Sequence, residues 1–341
     1  MPERVPVLIA SWFDASQAER IAAAEPDRVE VLYTPELLPV PRYEAEHHAP
    51  PRDLGAADRE RWRRLAARAE VSLDFDWEAP ERTLERSPRL RWIQASSSGV
   101  GPAVERYGLV GSQVAVTNAA GIHAQALAEF ALLGALYFVR QVPMLRRLQV
   151  AHRWERYCGE ELATRRMLVV GLGKVGRRVA EVAGALGMEV WGSRRTVGAE
   201  RPAGVARVVA AAELDAALPE TQVVVLTAPD NPSTRQLLDR RRLALLPREA
   251  VVVNIARGSL VEETALLDAL RSGHLLGAAL DVFQEEPLPL ESPFWDEPNV
   301  LIAPHSASTV RQENDRLVDL FIENLHRYLD GRPLINQWVP D

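Results

Sequence analysis

Short apolar runs alternate with polar segments rich in Ala, Arg and Glu over roughly the first 118 residues of the chain. The apolar runs predict strands, and the polar stretch Ala57–Ala69 between two of them predicts a helix. Strands that alternate with helices are typical of an α/β unit with a mostly parallel sheet. The predicted strands of this part are Val5–Trp12, Arg28–Tyr33, Val71–Phe75, Leu90–Gln94 and Gln113–Thr117.

A long helix is predicted to begin near His123, in the stretch AQALAEFALLGALYFVRQV. This stretch is apolar on most sides, which indicates a buried helix that crosses between domains or forms an oligomer interface. Its length nominally suffices to cross a bilayer, but it contains Glu129 and Arg140, and the chain has no second such run. We therefore expect no membrane association.

From Met167 the alternation resumes more strictly and predicts a second doubly wound unit. A final helix, predicted over Ser308–Asp330, can return to the first unit and make it discontinuous. The expected fold is α/β, with two Rossmann-like domains and mostly parallel sheets, divided as 1–118 plus 307–341 and 119–306. The elements predicted in the second unit are strands Met167–Val170, Glu189–Trp191, Gln222–Thr227, Ala250–Ile255, Gly277–Val282 and Val300–Ala303, and helices Val175–Leu186 and Glu262–Ser272.

Composition and charge narrow the range of functions that the chain can have. The 341 residues are 47% hydrophobic and 26% charged, enough for two cores, and the net charge of −7 argues against binding to nucleic acid or anionic membranes. Cys158 is the single cysteine, and Met1–Arg4 lacks the layout of a signal peptide, so a cytoplasmic location is expected. With one thiol, no H-x-x-x-H pair and no acidic loop of EF-hand spacing, no metal is expected.

A glycine-rich loop lies between the first strand and the first helix of the second unit. Gly171, Gly173 and Gly176 form G-x-G-x-x-G, with an apolar strand before them, an amphipathic helix after them, and a second strand that ends about 20 residues on. In this arrangement the glycines allow a tight turn, a close approach of pyrophosphate to the backbone, and close helix–strand packing. We expect a dinucleotide on the loop, bound by Gly171, Leu172, Gly173, Lys174, Val175 and Gly176.

The end of the second strand predicts which dinucleotide binds. Enzymes that use NAD normally carry an acid there for the ribose diol, whereas this chain has Ser193, Arg194, Arg195 and a threonine. Guanidinium and hydroxyl groups suit a 2′-phosphate, which an acid would repel. NADPH/NADP+ is therefore expected in preference to NADH.

Three further residues follow strands of the second unit. Arg257 lies in NIARGSLVEE, Glu286 in ALDVFQEEPLP and His305 in VLIAPHSAS. Because parallel strands end at one edge of the sheet, these side chains are expected near the dinucleotide. Hydride transfer to a 2-keto acid needs a cation for the carboxylate and carbonyl, and an acid to protonate the alkoxide. Arg257 fits the first role, and His305 assisted by Glu286 fits the second.

Residues Ala95 to Trp338 resemble the D-isomer-specific 2-hydroxyacid dehydrogenases, and the first 90 or so residues fit that family's N-terminal domain. The resemblance is carried by WIQASSSGVG, GLGKVG, LTAPDNPSTRQLL, NIARGSLVEE, GAALDVFQEEPLP and NVLIAPHSAS. Within the family, the SRR triplet and PLPLESPFWDEPNV look most like the NADPH-dependent glyoxylate/hydroxypyruvate reductases. The resemblance implies a substrate domain in 1–118 plus 307–341, a dinucleotide domain in 119–306, and reduction of a small 2-keto acid to its D-2-hydroxy acid.

The resemblance also implies roles for single residues. Arg257, Glu286 and His305 match the family's substrate arginine and Glu–His acid/base pair. Ser98 and Gly99 match the turn whose amides receive the substrate carboxylate. The remaining matches concern the cofactor: Thr227, Ala228 and Pro229 over the adenosine half, Ile255 and Ala256 near the nicotinamide ribose, and Asp281 on the nicotinamide side.

Family members are typically dimers, through the region matching His123–Trp154. Trp154 is a candidate to reach a neighbouring active site, or else an ordinary interface residue. The chain departs from the family pattern at Gly101, where an Asp is usual, and at Thr164–Arg166, where a basic residue followed by Thr is usual.

Two other functions stay open at this point. A dinucleotide-sensing, corepressor-like protein on the same fold would keep Arg257, Glu286 and His305, although this chain shows neither long disordered tails nor a basic patch. Oxidation of a one-carbon or inorganic acid is disfavoured by the SRR triplet and by Glu286, because the formate-oxidising relatives carry Gln at that position.

Overall fold

The computed structural model describes residues 4–198 and 201–340, and the chain divides into two compact units. Unit 1 comprises Met1–Ile122 and Thr309–Asp341, and unit 2 comprises His123–Ser308. The boundaries predicted from sequence lie a few residues away from these. Residues 1–3 and 341, at the ends of the predicted ranges, lie outside the described residues.

Unit 1 is built on a parallel sheet with strand order β2–β1–β3–β4–β5. Each strand lies within one of the predicted runs but is shorter, because only part of each run pairs with a neighbour. The elements are β1 Val5–Ile9, α1 Ala15–Ala24, β2 Val29–Leu32, α2 Ala56–Arg68, β3 Val71–Leu73, α3 Thr83–Arg86, β4 Trp92–Gln94, α4 Gly101–Arg106 and β5 Ala115–Thr117. The last helix of the chain, named α11 below, covers Glu313–Leu329 and belongs to the same unit.

Helix α11 packs its apolar face on the sheet of unit 1. The ring of Phe321 stacks on Trp92 of β4 with 5.2 Å between the centroids, and both side chains are fully buried. Beside it, Arg20 of α1 donates to Asp315 at 2.9 Å. The sequence predicted this helix from Ser308, but its regular part begins at Glu313. Its return makes unit 1 discontinuous.

Unit 2 holds a second parallel sheet, in the order β12–β11–β10–β9–β6–β7–β8. The predicted strands are all present, and β8 is an additional edge strand that pairs only with β7. The elements are α5 Ala124–Val139, α6 Val142–Val150, β6 Arg166–Val170, α7 Lys174–Ala185, β7 Glu189–Arg194, β8 Arg207–Ala210, α8 Leu214–Ala217, β9 Val223–Leu226, α9 Arg240–Leu245, β10 Ala250–Asn254, α10 Glu263–Arg271, β11 Leu275–Leu280 and β12 Val300–Ile302. The α/β fold with mostly parallel sheets is thus confirmed.

The helix predicted from near His123 over the stretch that ends at Val142 is present as α5, but it is three residues shorter, and a second helix, α6, follows after a sharp break. α5 ends at Val139, Gln141 adopts a left-handed conformation with φ +54°, and α6 begins with Pro143 in its first turn. Proline has no amide hydrogen to continue the earlier helix, which explains the break. Within the described ranges no single helix is long and apolar enough to cross a membrane, and α5 and α6 pass on length and composition only as a pair bent by 61°.

Two glycines let α5 lie close to the sheet of unit 2. A Cβ on Gly134 would lie 2.5 Å from Ala279 Cβ, and a Cβ on Gly277 would lie 2.2 Å from the Phe138 ring. A larger residue at either position would push the helix off β10 and β11, since a packed core has no spare room. This helix therefore forms one buried face of the core of unit 2.

Candidate active site

The glycine loop joins β6 to α7 as a tight turn with little room for side chains at two positions. Gly171 has φ +106°, and a Cβ on it would lie 2.7 Å from the Ala228 amide nitrogen. A Cβ on Gly176 would lie 1.8 Å from Gly171 O. Gly173, by contrast, has no atom within 4 Å of where its Cβ would be. The open side of the loop, at the N-terminus of α7, is a cradle that fits a dinucleotide pyrophosphate.

The loop after β9 braces this cradle. The Thr227 hydroxyl donates to Val170 O at 3.1 Å and to Gly171 O at 2.6 Å, so the carboxyl ends of β6 and β9 are tied together. Ala228 is buried against Gly171, and Pro229 follows it. The structure thus brings Thr227 and Ala228 directly to the glycine loop.

The end of β7 differs from the sequence-based expectation. The strand was predicted to stop at Trp191 but continues to Arg194, and Ser193 is buried within it, with its carbonyl accepting from the Gly171 amide at 2.9 Å. Arg194 is partly buried and donates to Gly198 O at 3.2 Å, whereas Arg195 is exposed. Guanidinium groups therefore stand at the last position of β7 and at the position after it, on the strand that neighbours the glycine loop.

The segment after β10 carries Arg257 on a turn fixed by a buried amide. Ile255 and Ala256 are buried, while Arg257 is exposed and its Nη1 donates to Ala256 O at 2.6 Å. Asn254 accepts from the Ala256 amide at 3.1 Å and donates to Arg257 O at 2.9 Å. Asn254 was not predicted as a site residue, although a polar residue at the end of the apolar run VVVN was a signal.

Asp281 holds the turn that presents His305. Its Oδ1 accepts from the amides of Ser306 and Ala307, both at 2.8 Å, and its carbonyl accepts from the His305 amide at 2.8 Å. Burial raises the pKa of Asp281, although the two amide hydrogen bonds act in the opposite direction. His305 has φ +51°, a conformation that non-glycine residues adopt only when their surroundings enforce it.

Glu286 and His305 form a hydrogen-bonded pair. His305 Nδ1 lies 2.7 Å from Glu286 Oε2, and Glu286 Oε1 accepts from the Phe283 amide at 2.9 Å. The imidazole is about half exposed, at 48% of its side-chain surface. Within the described part of the chain its Nε2 has no hydrogen-bond partner, so that nitrogen is available to a ligand.

Close backbone packing supports the loop that carries Glu286. A Cβ on Gly258 would lie 1.9 Å from the Phe283 carbonyl carbon, so only glycine fits between the turn after β10 and this loop. Glu263 accepts from the Gln284 amide at 2.7 Å, and burial raises the pKa of Glu263. Gly258 and Glu263 were not singled out from sequence, because their role depends on a contact between distant segments.

The predicted site residues fall into both units. Those of the glycine loop, β7, β9, β10, β11 and β12 all lie in unit 2, where their strands end at one sheet edge. Ser98 and Gly99 lie in unit 1, after β4, where Ser96 Oγ donates to Asp74 Oδ2 at 2.7 Å. Trp154 is 97% exposed in the segment after α6. No group of His, Cys, Asp and Glu suited to a metal ion occurs within residues 4–198 and 201–340.

The sequence profile of a known family matches this chain over residues 132–307, which include the glycine loop, Arg257, Glu286 and His305. That family is described as D-isomer specific 2-hydroxyacid dehydrogenase, NAD binding domain. The chain belongs to this family. It is accordingly an oxidoreductase, a 2-hydroxyacid dehydrogenase with an NAD(P)-binding Rossmann domain, and the resemblance seen in its sequence is confirmed.

Relatives within the 2-hydroxyacid dehydrogenases include reductases of small keto acids. A glyoxylate reductase of Aeropyrum pernix is 32% identical over 264 residues, covering 73% of this chain and 76% of the relative. A crystal structure of a D-isomer specific 2-hydroxyacid dehydrogenase from Xanthobacter autotrophicus in complex with NADPH and MES aligns with a TM-score of 0.76 and 31% identity, over 99% of both chains. The crystal structure of an NADPH-dependent glyoxylate/hydroxypyruvate reductase from Sinorhizobium meliloti, in complex with NADP and sulfate, aligns with a TM-score of 0.75. Its sequence identity is 28%, and the alignment covers 98% of both chains.

Proposed function

We propose that this protein reduces a small 2-keto acid, such as glyoxylate or hydroxypyruvate, to the D-2-hydroxy acid with NADPH as the cofactor. The observation that carries the proposal is the 2.7 Å contact between His305 Nδ1 and Glu286 Oε2 at the carboxyl edge of the dinucleotide-binding sheet. A positioned acid is what a carbonyl reduction needs beyond the hydride donor.

The proposed chemistry divides among three side chains. Bound NADPH supplies a hydride to the keto carbon. Protonated His305 donates its Nε2 proton to the carbonyl oxygen as that oxygen becomes an alkoxide. The Glu286 carboxylate stabilises the imidazolium and fixes the ring through Nδ1. After the transfer, neutral His305 takes up a proton from solvent, to which half of its side chain is exposed.

Arg257 binds the substrate in this proposal. Its planar guanidinium can grip the carboxylate with two parallel hydrogen bonds and polarise the adjoining carbonyl. Its Nη1 now donates to Ala256 O, and this contact is exchanged when the acid binds. The amides of Ser98 and Gly99, in unit 1, are likewise proposed to receive a substrate carboxylate.

The cofactor is proposed to occupy the carboxyl edge of the sheet in unit 2. The glycine loop holds its pyrophosphate, Thr227, Ala228 and Pro229 the adenosine half, and Ile255, Ala256 and Asp281 the nicotinamide half. The fit rests on the open face of Gly173 and on the close packing at Gly171 and Gly176.

NADPH is proposed over NADH because two arginines lie at the end of β7 and no acid occurs from Gly192 to Gly198. Glu189, at the start of the strand, is engaged with Arg166 Nη2 at 2.9 Å and Trp191 Nε1 at 2.8 Å. Arg194 and Arg195 are therefore the groups proposed to bind the 2′-phosphate, with Ser193 beside them in the strand. The solved relatives from Xanthobacter and Sinorhizobium, which contain NADPH and NADP, support this preference.

We further propose a homodimer in the cytoplasm. The α5–α6 region and the segment after it expose apolar side chains, among them Leu133 at 51% and Trp154 at 97%. Cys158 is an exposed free cysteine that forms no disulfide, which suits a reducing compartment.

The test is a steady-state panel with purified protein. Oxidation of NADPH and of NADH is followed with glyoxylate, hydroxypyruvate, pyruvate, 2-ketoisovalerate and phenylpyruvate. We expect turnover with the smaller acids and a preference for NADPH. If neither cofactor is oxidised with any of these acids, the proposed reaction is wrong, and a preference for NADH refutes the assignment of Arg194 and Arg195.

A further inference from the structure

The loop that carries Glu286 is held onto the start of α10 by Gln284. The Gln284 backbone amide donates to Glu263 Oε1 at 2.7 Å, and its side-chain Nε2 donates to Val261 O, also at 2.7 Å. Main chain and side chain of one residue thus bind the same short segment, so the loop cannot rotate about a single contact. We call Val261, Glu263 and Gln284 the Gln284 clamp.

The segment to which the clamp attaches is itself fixed. The Leu238 amide donates to Leu260 O at 3.0 Å, and the Glu262 amide donates to Leu238 O at 3.1 Å. Two residues earlier, the Gln236 amide donates to Ser259 O at 2.7 Å. Leu238 and Leu260 are fully buried. The clamp therefore ties the loop of Glu286 to the core of unit 2.

The clamp acts on Glu286 through Phe283, which directly precedes Gln284. Phe283 is buried, and its ring meets that of Phe294 with 5.5 Å between the centroids. Its amide donates to Glu286 Oε1 at 2.9 Å, which leaves Oε2 for His305. Because the ring and the clamp together fix this amide, contacts outside the pair aim the carboxylate at the imidazole.

Such support is needed because the loop faces solvent. Gln284, Glu285 and Glu286 are all exposed, and an exposed glutamate loses considerable side-chain entropy when it is held in one conformation. The carboxylate must stay within hydrogen-bond distance of His305 to favour the imidazolium. A displacement of about 1 Å can lower a rate by about 100-fold. The contacts that fix the loop are thus placed to set the rate of proton transfer.

Resting on the function proposed above, we propose that Glu263 and Gln284 are positioning residues for the acid/base pair. They hold the Phe283 amide in place, this amide orients Glu286, and Glu286 orients His305. Neither positioning residue donates the proton or binds the keto acid. Their loss therefore slows proton transfer and leaves the binding of keto acid and cofactor unchanged.

The first test measures kcat apart from binding. Glu263→Ala removes the acceptor of the Gln284 amide, and Gln284→Met removes the donor to Val261 O at a similar side-chain length. We expect each variant to lower kcat with glyoxylate by about tenfold, with KM for glyoxylate and Kd for NADPH changed by less than about twofold. Glu263→Gln keeps an acceptor oxygen and should retain kcat. Glu285→Ala, at the exposed position next to Gln284, is the matched control and should also retain it.

A double-mutant cycle separates positioning from a general loss of structure. In a Glu286→Ala background the clamp has no carboxylate to position, so adding Glu263→Ala should lower kcat by less than about twofold further. If Glu263 acted on structure alone, its full loss of about tenfold would recur in that background. The solvent deuterium isotope effect on kcat should also rise in Glu263→Ala, because proton transfer becomes slower relative to the other steps.

Wild-type kcat in both clamp variants, or independent losses in the cycle, overturns the inference and leaves the proposed function intact. Absence of glyoxylate reduction by the wild type instead refutes the function, and with it the role of the clamp. Should Glu263→Ala not fold, Gln284→Met and its combination with Glu286→Ala decide, since Gln284 is exposed.

Discussion

His305 Nδ1 lies 2.7 Å from Glu286 Oε2, although the two residues are 19 positions apart in the chain. Each partner is fixed separately, since Glu286 Oε1 accepts from the Phe283 amide and the His305 amide donates to Asp281 O. The pair is therefore oriented before any ligand binds. Preorganisation of this kind lowers the cost of reaching the transition state.

Replacing either member should separate chemistry from cofactor binding. We expect His305→Gln to lower kcat with glyoxylate by about 10²- to 10⁴-fold, because the proton donor is lost. Glu286→Gln should lower kcat less, by about 10- to 100-fold, since the histidine remains but loses its anion. Stopped-flow or steady-state NADPH oxidation gives kcat, and NADPH fluorescence titration should give an unchanged Kd.

Glu285→Gln is the matched control for this pair. The residue is exposed and adjacent to Glu286, so the same loss of charge should leave kcat within about twofold. Normal turnover of His305→Gln would show that another group donates the proton.

The glycine loop allows a comparison between two similar substitutions. Gly176→Ala would place a Cβ 1.8 Å from Gly171 O, so we expect a loss of about 3 kcal/mol in unfolding free energy and no cofactor binding. Gly173→Ala has open space and an ordinary φ of −73°, so stability should change by less than about 0.5 kcal/mol. Its NADPH affinity should nevertheless fall by about tenfold or more, because the methyl group occupies the approach of the pyrophosphate.

Urea unfolding measures the change in unfolding free energy of these variants, and fluorescence titration measures their affinity for NADPH. Tight NADPH binding by Gly173→Ala would mean that the dinucleotide does not approach this face of the loop.

Much of the fold was predictable from sequence, because the period of the hydrophobic pattern and the length of each apolar run distinguish strands from helices. Runs such as Ala250–Ile255 are buried on both faces of a parallel sheet, and such runs are continuously apolar. β8 was missed because a four-residue edge strand with Arg207 at its start has no such signature. The end of α5 was placed three residues too late, because Val142 extends the apolar run and only Pro143 indicates the interruption.

The site was predictable to the extent that it follows strand ends. Arg257, Asp281 and His305 all come directly after or close to the ends of parallel strands, and the topology brings such positions together. Asn254 and Gly258 were not predictable, because their roles depend on contacts across segments. Gln284 was missed for the same reason, since the chain alone does not show that it meets Val261 and Glu263.

The cofactor preference depends on a guanidinium that is free to bind. Arg195 is exposed and makes no hydrogen bond or ion pair within the described ranges, so Arg195→Ala should not disturb the fold. We expect kcat/KM for NADPH to fall by about 10- to 100-fold, with little change for NADH, because a charge-assisted bond to the 2′-phosphate is lost.

Arg248→Ala is the control for Arg195. This variant removes an exposed arginine that directly precedes β10, at the amino-terminal ends of the strands. Arg248 Nη2 donates to Gly273 O at 3.2 Å there. Equal losses for both cofactors in Arg195→Ala would rule out a 2′-phosphate contact.

The partial burial of His47 predicts a dependence of stability on pH. Burial lowers the pKa of His47 below its usual 6.5, and the negative charges of Asp74 and Glu313 only partly oppose this shift. Between the folded and unfolded pKa values the unfolded chain binds more protons, so stability falls as pH falls below about 6.5. This residue contributes at most about 1.4 kcal/mol per pH unit in that window and nothing above it.

Urea unfolding at pH 8 and at pH 5.5 tests this dependence. His47→Gln should unfold with a smaller loss between the two values than the wild type, whereas His48→Gln, at the exposed neighbouring position, should show the wild-type loss. Identical losses in all three proteins would show that His47 is not the titrating group.

The apolar surface of the α5–α6 region predicts that two copies associate. Leu133 and Val150 are 51% and 76% exposed, and a monomer would leave these side chains in water. We expect the 37.8 kDa chain to sediment as a dimer at micromolar concentration, and Leu133→Glu to shift it towards the monomer, since a buried unpaired charge opposes association. Val40→Glu, at a 66% exposed apolar position of unit 1, should remain dimeric. A wild-type monomer would contradict the proposed assembly.

If Trp154→Ala stays dimeric but loses kcat, its indole reaches the neighbouring active site rather than only stabilising the interface.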